Sequence, residues 1–371
     1  MKLAQAYSFR FVSEPLKQII LMMKNRQVGI KDIAQHAGVS TGPVDKVLNN
    51  RGGVSTATRE RILNAIDELG YTPNILASRL KSSKNYTVAI LMPKATNEIP
   101  YWLDHERGFS DAIQDLAPFG FQIDKYYFHQ NDEGSFRQQA NIVLEKNYHG
   151  IFMVPVFETE TINFTNQLKP EKTPIIFFDT RILSLPEIPF IGQNSFDSGY
   201  LAAELLCKCI ADTDAVLVVS LTGEHDNHLQ FMNRENGFRN FFQKKDIEII
   251  KYKNSLDIEG ETKKELVALL KNHPDIKAVF VTNGIHKIAS IFKQDKKYTL
   301  LGYDLISENV NYLKKGVIDF LISQNPYTQA YTGLKLFYDL LVLKKPINKT
   351  HFLPINIIMK SNLKYCTDFY E

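Results

Sequence analysis

Between Ser40 and Arg51 the chain places a compact set of polar and charged side chains around an apolar repeat. Val44, Val47 and Leu48 recur at helical spacing, and Thr41, Gly42, Asp45, Lys46 and Asn49 fall on the opposite face. Such a face presents hydroxyl, carboxylate, ammonium and amide groups in one row, the groups that hydrogen-bond phosphates and base edges in a DNA groove. Ser40 is placed to cap this helix, and Arg51 follows it in the loop NNRGG as a further cation. Two residues run against expectation. Pro43 lies about three residues into the helix, where its missing N–H would have no intrahelical partner, so the helix need not break. The serine cap must then use the Gly42 N–H. Asp45 is repelled by phosphate but can accept a hydrogen bond from a cytosine amino group; simple solvation is the alternative. Lys46 supplies a point charge and not a bidentate fork.

Elsewhere the residues that might do covalent or metal chemistry are not arranged to do it. Cys207, Cys209 and Cys366 are too few and oddly spaced for a disulfide framework and lack Cys or His partners at zinc spacing, so they read as reduced thiols in a cytoplasmic protein. Glu224, His225, Asp226 and His228 crowd one segment without triad or metal spacing, as a solvated loop does. No GxGxxG follows a strand and no GxxxxGK[ST] occurs, so the common nucleotide fingerprints are missing. The expectation is no catalytic set, no metal, no cofactor and no enzyme. No apolar run reaches 18 residues, so no membrane partner is expected. Residues 1–27 read as an N-terminal extension and not a signal peptide, with Met22 and Met23 offering a later start.

The elements that must position the polar row are short helices. Ile30, Ile33, Ala34 and Ala37 have helical spacing, and Gly38 stops that helix. After the loop, Ser55 caps a third helix with Ile62, Leu63, Ile66 and Leu69 on one face and Gly70 past its end. Helix, tight turn, helix is the helix-turn-helix arrangement, whose second helix enters the major groove. Charge agrees with this. Ten basic and five acidic residues lie between Lys24 and Lys84, whereas residues 85–371 carry a net −4. From Tyr86 the texture changes to apolar runs at 87–92, 150–156, 174–179, 215–221, 277–282 and 299–304, with amphipathic helical stretches between most of them. This alternation predicts parallel sheets covered on both faces, and nearly 290 residues predict two α/β lobes with a cleft between them.

The head resembles the N-terminal domain of the LacI/GalR family of bacterial transcription regulators. The residues carrying the resemblance run without gaps from about Val28 to Lys81: IKDIAQHAGVS, the VLN end of the second helix, VS before the third, ELGYTPN and ASRLK. This chain departs from the family's Thr-Val-Ser-Arg in the second helix with Pro43-Val44-Asp45-Lys46, and Gly42 has no side chain where the family often reads a base. The docking mode should hold and the base preference should differ. The resemblance further implies a hinge helix in which Leu80 wedges into the minor groove beside Lys81; packing of Leu80 on its own domain is the alternative.

The body resembles the same family's effector domain, which is similar to periplasmic sugar-binding proteins and takes small ligands between its lobes. The resemblance implies a fold with a small all-α helix-turn-helix domain (28–72), a hinge helix and linker (73–85), and two doubly wound parallel-sheet lobes (86–371). A sugar site wants aromatic faces for the C–H side of a ring and planar polar groups for adjacent hydroxyls. Tyr101 and Trp102 match an Asn-Pro-aromatic-aromatic run of ribose-binding relatives, with Ile99 replacing the amide; core packing is the alternative for either ring. Asp179, Arg234, Asn283, Asp304 and Gln324 lie where the family places ligand contacts, although a lone Asp after a strand is often only a helix cap. Arg181 is weakly placed. The resulting expectation is a DNA-binding transcription regulator, a repressor in the first instance, acting as a homodimer on a double-stranded, near-palindromic operator under control of a carbohydrate. The alternative is a sugar sensor or solute-binding protein that does not bind DNA.

Overall fold

A computed structural model of the protein describes residues 28–48, 51–71, 84–97, 99–168, 173–221, 229–254, 261–292 and 297–366. Asn49, Leu80, Lys81, the crowded segment from Glu224 to His228 and the N-terminal extension lie outside the described residues. The chain divides into two compact units, Met1–Ser83 and Lys84–Glu371.

Among the described residues the first unit has the helices α1 Ile30–His36, α2 Thr41–Leu48 and α3 Thr56–Glu68. Gly29 N–H donates to Asp32 Oδ2 at 2.7 Å at the start of α1, and the Ser55 hydroxyl accepts the Thr58 N–H at 3.3 Å at the start of α3. Gly38 and Gly70 turn the chain out of α1 and α3 at φ 64° and 57°, a region costly for other residues. Ile33, Ala34, Val44, Val47, Ile62 and Ala65 form the core. Pro43 is the third residue of α2, and the helix continues through it. Leu63 departs from the sequence expectation, being 48% exposed. At 100° per residue it sits beside the buried stripe of Ile62 and Ala65 and not within it.

The second unit contains two six-stranded sheets of matching topology. The first is built from β1 Tyr86–Pro93, β2 Phe121–Phe128, β3 Gly150–Met153, β4 Ile175–Phe178, β5 Phe190–Gly192 and β11 Thr350–Phe352. The second is built from β6 Ala215–Leu221, β7 Ile249–Asn254, β8 Ile276–Val281, β9 Thr299–Tyr303, β10 Phe320–Ser323 and β12 Asn356–Ile358. Their orders, β11-β5-β4-β3-β1-β2 and β12-β10-β9-β8-β6-β7, correspond strand for strand, and every pairing is parallel except β10 with β12. The central strands are buried on both faces, as β6 is at all seven positions, because helices cover each side.

Two helices are exchanged between the lobes. α7 (Ser195–Cys207) follows β5 but packs in the second lobe against α8 (Leu229–Phe242), with Ala202, Ala203 and Leu206 in one core with Val216 and Phe238. α12 (Pro326–Leu341) follows β10 but packs in the first lobe against α4 (Leu103–Leu116), with Ala330, Leu334 and Phe337 beside Val88 and Ile90. The chain therefore passes between lobes after β5, after β10 and again between β11 and β12. Side chains stitch the passages together. Gln193 Nε2 donates to Ser323 O at 2.9 Å, Asn325 Nδ2 to Pro354 O at 2.9 Å and Asn356 Nδ2 to Asn325 Oδ1 at 3.0 Å. Among the described residues no helix is long and apolar enough to cross a membrane.

The contact of α7 with α8 is built on two glycines. A Cβ on Gly199 would run into the carbonyl of Arg234, and one on Gly237 into the carbonyl of Phe196. Backbone cannot retreat as a flexible side chain can, so Gly199→Ala or Gly237→Ala should cost about 1–3 kcal/mol by overpacking. The expected result in thermal unfolding is a lower Tm for the larger unit. Gly42→Ala, whose Cβ meets nothing within 4 Å, should leave that transition in place.

Candidate functional site

The carboxyl ends of the parallel strands line an interlobe cleft of about 490 Å³. Its most constrained members are Asp179, directly after β4, and Asp304, directly after β9. These occupy equivalent positions in the two sheets, and both have left-handed backbone, at φ 63° and 75°. Aspartate tolerates this region better than most residues because its short polar side chain can bond locally. The two lobes thus each turn one carboxylate into the same cleft.

Neighbouring groups hold both carboxylates. Tyr101 OH donates to Asp179 Oδ1 at 2.5 Å and Thr180 Oγ1 to Asp179 Oδ2 at 3.0 Å. Gln324 Nε2 donates to Asp304 Oδ1 at 2.7 Å. Burial raises the pKa of Asp179 against these hydrogen bonds, and raises that of Asp304 to about 6 against the opposing pull of Arg234. Burial likewise holds the Tyr101 phenol well above its ordinary range, so it remains a donor at any ordinary pH.

Arg234 is 1% exposed and lies behind the cleft wall, not among its lining residues. Its Nη1 donates to Thr282 O at 2.7 Å and its Nη2 to Gln324 Oε1 at 2.5 Å, with the guanidinium carbon 3.7 Å from the Tyr303 ring centroid. It orients Gln324, which in turn orients Asp304. Asn283 lines the cleft, but its amide is engaged with the backbone of Leu221, donating to the carbonyl at 2.5 Å and accepting the N–H at 3.1 Å. This pairing ties the end of β8 to the end of β6.

The aromatic wall comes from Tyr101 and Trp102. Trp102 is 3% exposed, donates Nε1–H to Gln130 Oε1 at 2.8 Å, and packs on His105 with centroids 5.0 Å apart. It both lines the cleft and belongs to the first lobe's core. His105 is fully buried, and burial lowers its pKa to about 3, so the ring backing this wall is neutral.

Several lining residues had no separate signal in the sequence: Gln130, Asn131, Thr180, Gln230, Phe231, His286, Lys287 and Asn309. Gln230 spans the two lobes, its Nε2 donating to Asp179 O and to Gln324 Oε1, each at 3.0 Å. Arg181 borders a neighbouring pocket and not this cleft. Among the described residues no group of His, Cys, Asp and Glu side chains is arranged to hold a metal ion.

In the first unit, Ser40, Thr41, Gly42, Lys46 and Arg51 are exposed on one surface around α2, with Asp45 partly exposed among them. Arg51 N–H donates to Lys46 O at 2.7 Å, and Arg51 Nη1 lies 3.4 Å from Asp45 Oδ2.

The raised pKa of Asp304 has a consequence for stability. An acid titrating near 6 when folded and near 3.8 when unfolded contributes stability below the lower value, and loses it as pH rises through the upper one. Melting of wild type and Asp304→Asn between pH 4 and 7 should show this. Wild type should lose Tm across that interval relative to the variant, whose amide tolerates the same backbone. Parallel profiles would contradict the assignment.

Comparison with known proteins agrees with both units. The profile described as bacterial regulatory proteins, lacI family, matches residues 29–74, and that of a periplasmic binding protein domain matches residues 88–345. The HTH-type transcriptional regulator DegA of Bacillus subtilis is 25% identical over 290 residues, covering 74% of this chain and 81% of that protein. The ribose operon repressor of Lactococcus lactis is 24% identical over 346 residues, covering 90% and 98%. Further curated relatives are matched over 51–59% of their length. A crystal structure of a Bacteroides fragilis protein assigned as a LacI transcriptional regulator superposes with a TM-score of 0.69 at 30% identity, covering 76% of this chain and 99% of that one. With a helix-turn-helix unit and a two-lobed unit each matched, the chain belongs to the LacI family of bacterial regulatory proteins: it is a DNA-binding transcription regulator and not an enzyme.

Proposed function

We propose that this regulator senses a small carbohydrate in the interlobe cleft and acts as a homodimer on a near-palindromic operator. The observation that carries the effector reading is the convergence of Asp179 and Asp304, one from each lobe, beside the Tyr101–Trp102 wall. Two carboxylates accept hydrogen bonds from adjacent hydroxyls, Gln324 offers a planar amide, and the rings offer a flat apolar surface to the C–H face of a sugar. A ligand bridging two carboxylates on separate lobes changes the energy of their separation. The passages after β5, after β10 and between β11 and β12 are the places where such a change would be absorbed. A coupling of roughly 1–3 kcal/mol suffices to change operator affinity between several-fold and about a hundredfold. The resemblance to a ribose operon repressor along nearly its whole length supports the same class of ligand.

On the DNA side, Thr41, Lys46 and Arg51 supply donors, Gly42 admits close approach of the backbone, and the hinge Leu80 with Lys81 is assigned from the family pattern. Ser40, Asp45 and Asn49 complete the proposed surface.

Titration of the purified protein with a panel of neutral aldoses and ketoses, read by the emission of its single tryptophan, tests the cleft. One sugar should shift the emission and saturate. Asp304→Ala should weaken that sugar at least tenfold, as loss of a charged hydrogen-bond acceptor does. Wild-type affinity should fall as pH drops below about 6, where Asp304 takes up its proton. A panel without any saturable response would refute the sugar reading while leaving operator binding, measured separately, untouched.

A further inference from the structure

The exposed surface around α2 contains an acidic residue. Asp45 is the single acid of that helix, and it stands on the side offered to DNA, where a carboxylate meets phosphate repulsion. One of its partners is Arg51, with Nη1 3.4 Å from Oδ2. The two side chains are 48% and 67% exposed, so the pair adds little to folding; exposed ion pairs generally do not. What it does fix is direction. The Arg51 N–H donates to Lys46 O at 2.7 Å, which anchors the arginine backbone to the end of α2, and Asp45 then restrains the far end of the side chain. The Lys46 side chain reaches towards the loop after α2, its Nζ lying 3.5 Å from where a Cβ on Gly53 would stand, at φ 85°.

The other end of the helix carries only the hydroxyls of Ser40 and Thr41. Gly42 has no side chain, and a Cβ there would meet nothing within 4 Å. The charged groups able to address bases are thus concentrated at the end of α2. A guanidinium has five donors in a planar fork; with one Nη on a carboxylate, the remaining edge can still address a guanine through O6 and N7.

We infer that Asp45 is a positioning residue for Arg51, and that the pair reads a guanine in the operator half-site. This rests on α2 being the DNA-facing helix. Asp45 does not itself accept from a base. It lowers the side-chain freedom that Arg51 must lose on binding and offsets its charge, trading general phosphate attraction for selectivity.

Selection from a random duplex library by the full-length wild-type chain, followed by affinity measurements across a salt series, tests this. Arg51→Ala and Arg51→Lys should both lose discrimination at one G·C pair by roughly tenfold or more, the lysine because a point charge lacks the fork. Asp45→Asn should weaken preference at that same pair, and binding to unrelated DNA should become stronger and more salt-dependent. With Arg51 already replaced, Asp45→Asn should have no further effect on base preference. Thermal unfolding of all variants should match wild type. Loss of preference at a different base pair in Asp45→Asn would mean direct contact by the carboxylate and would overturn the inference. So would a uniform weakening across all sequences in Arg51→Ala with the salt slope reduced by about 1, the mark of a phosphate contact. Failure of wild type to select any motif would refute the DNA-facing assignment itself, and this inference with it.

Discussion

The cleft depends on one backbone constraint. The chain leaves β4 and β9 through aspartates held at positive φ, and this left-handed exit directs a carboxylate from each sheet into the interlobe space. Residues without a short polar side chain resist that region, and glycine, which does not, would supply no acceptor. Parallel sheets bring their carboxyl ends to one edge, so equivalent strands of two sheets facing each other deliver equivalent residues to a shared cleft. Much of the remaining geometry serves these two groups: Tyr101 and Thr180 on Asp179, Gln324 on Asp304, and Arg234 behind Gln324.

Arg234 illustrates how such a site spends charge. Burying a guanidinium leaves its donors to be matched inside the protein: here a backbone carbonyl accepts from Nη1 and an amide oxygen from Nη2, the Tyr303 ring takes the flat face, and Nε has no hydrogen-bond partner among the described residues. Its attraction lowers the pKa of both aspartates, opposing the burial that raises them. The α7–α8 glycine contact sets where this arginine begins, because the Arg234 carbonyl rests against Gly199. The packing of α7 on α8 is thereby linked to the ionisation of groups within the cleft.

The two units solve different electrostatic problems. The cleft gathers acceptors at its wall, with the buried Arg234 guanidinium behind them. The α2 surface stays in water, where charges are cheap, and gathers cations around a single carboxylate. Exposed ion pairs contribute little to stability, so the Asp45–Arg51 contact adds little to the folding of this unit.

The sequence by itself determined the class of protein and the parts of the fold with strong local signals. The first-unit helices were legible from their apolar spacing, from the Ser55 cap and from Gly38 and Gly70. The central strands β1, β3, β4, β6, β8 and β9 were legible because strands buried on both faces read as continuous apolar runs. Strands β2 and β7 were not, since edge strands alternate and carry charge, as FQIDKYYF and IIKYKN do. β5, β11 and β12 are three residues each, too short for any period to show. Leu63 misled because an apolar residue next to a buried stripe looks like part of it. Only the tertiary structure decided that α7 and α12 change lobes, that Arg234 stands behind the cleft, and that Gln130 and Gln230 reach it. It also decided that Asp45 meets Arg51. Each of these joins residues distant in sequence or beyond a helix end, where direction is set by packing and hydrogen bonding and not by local propensity.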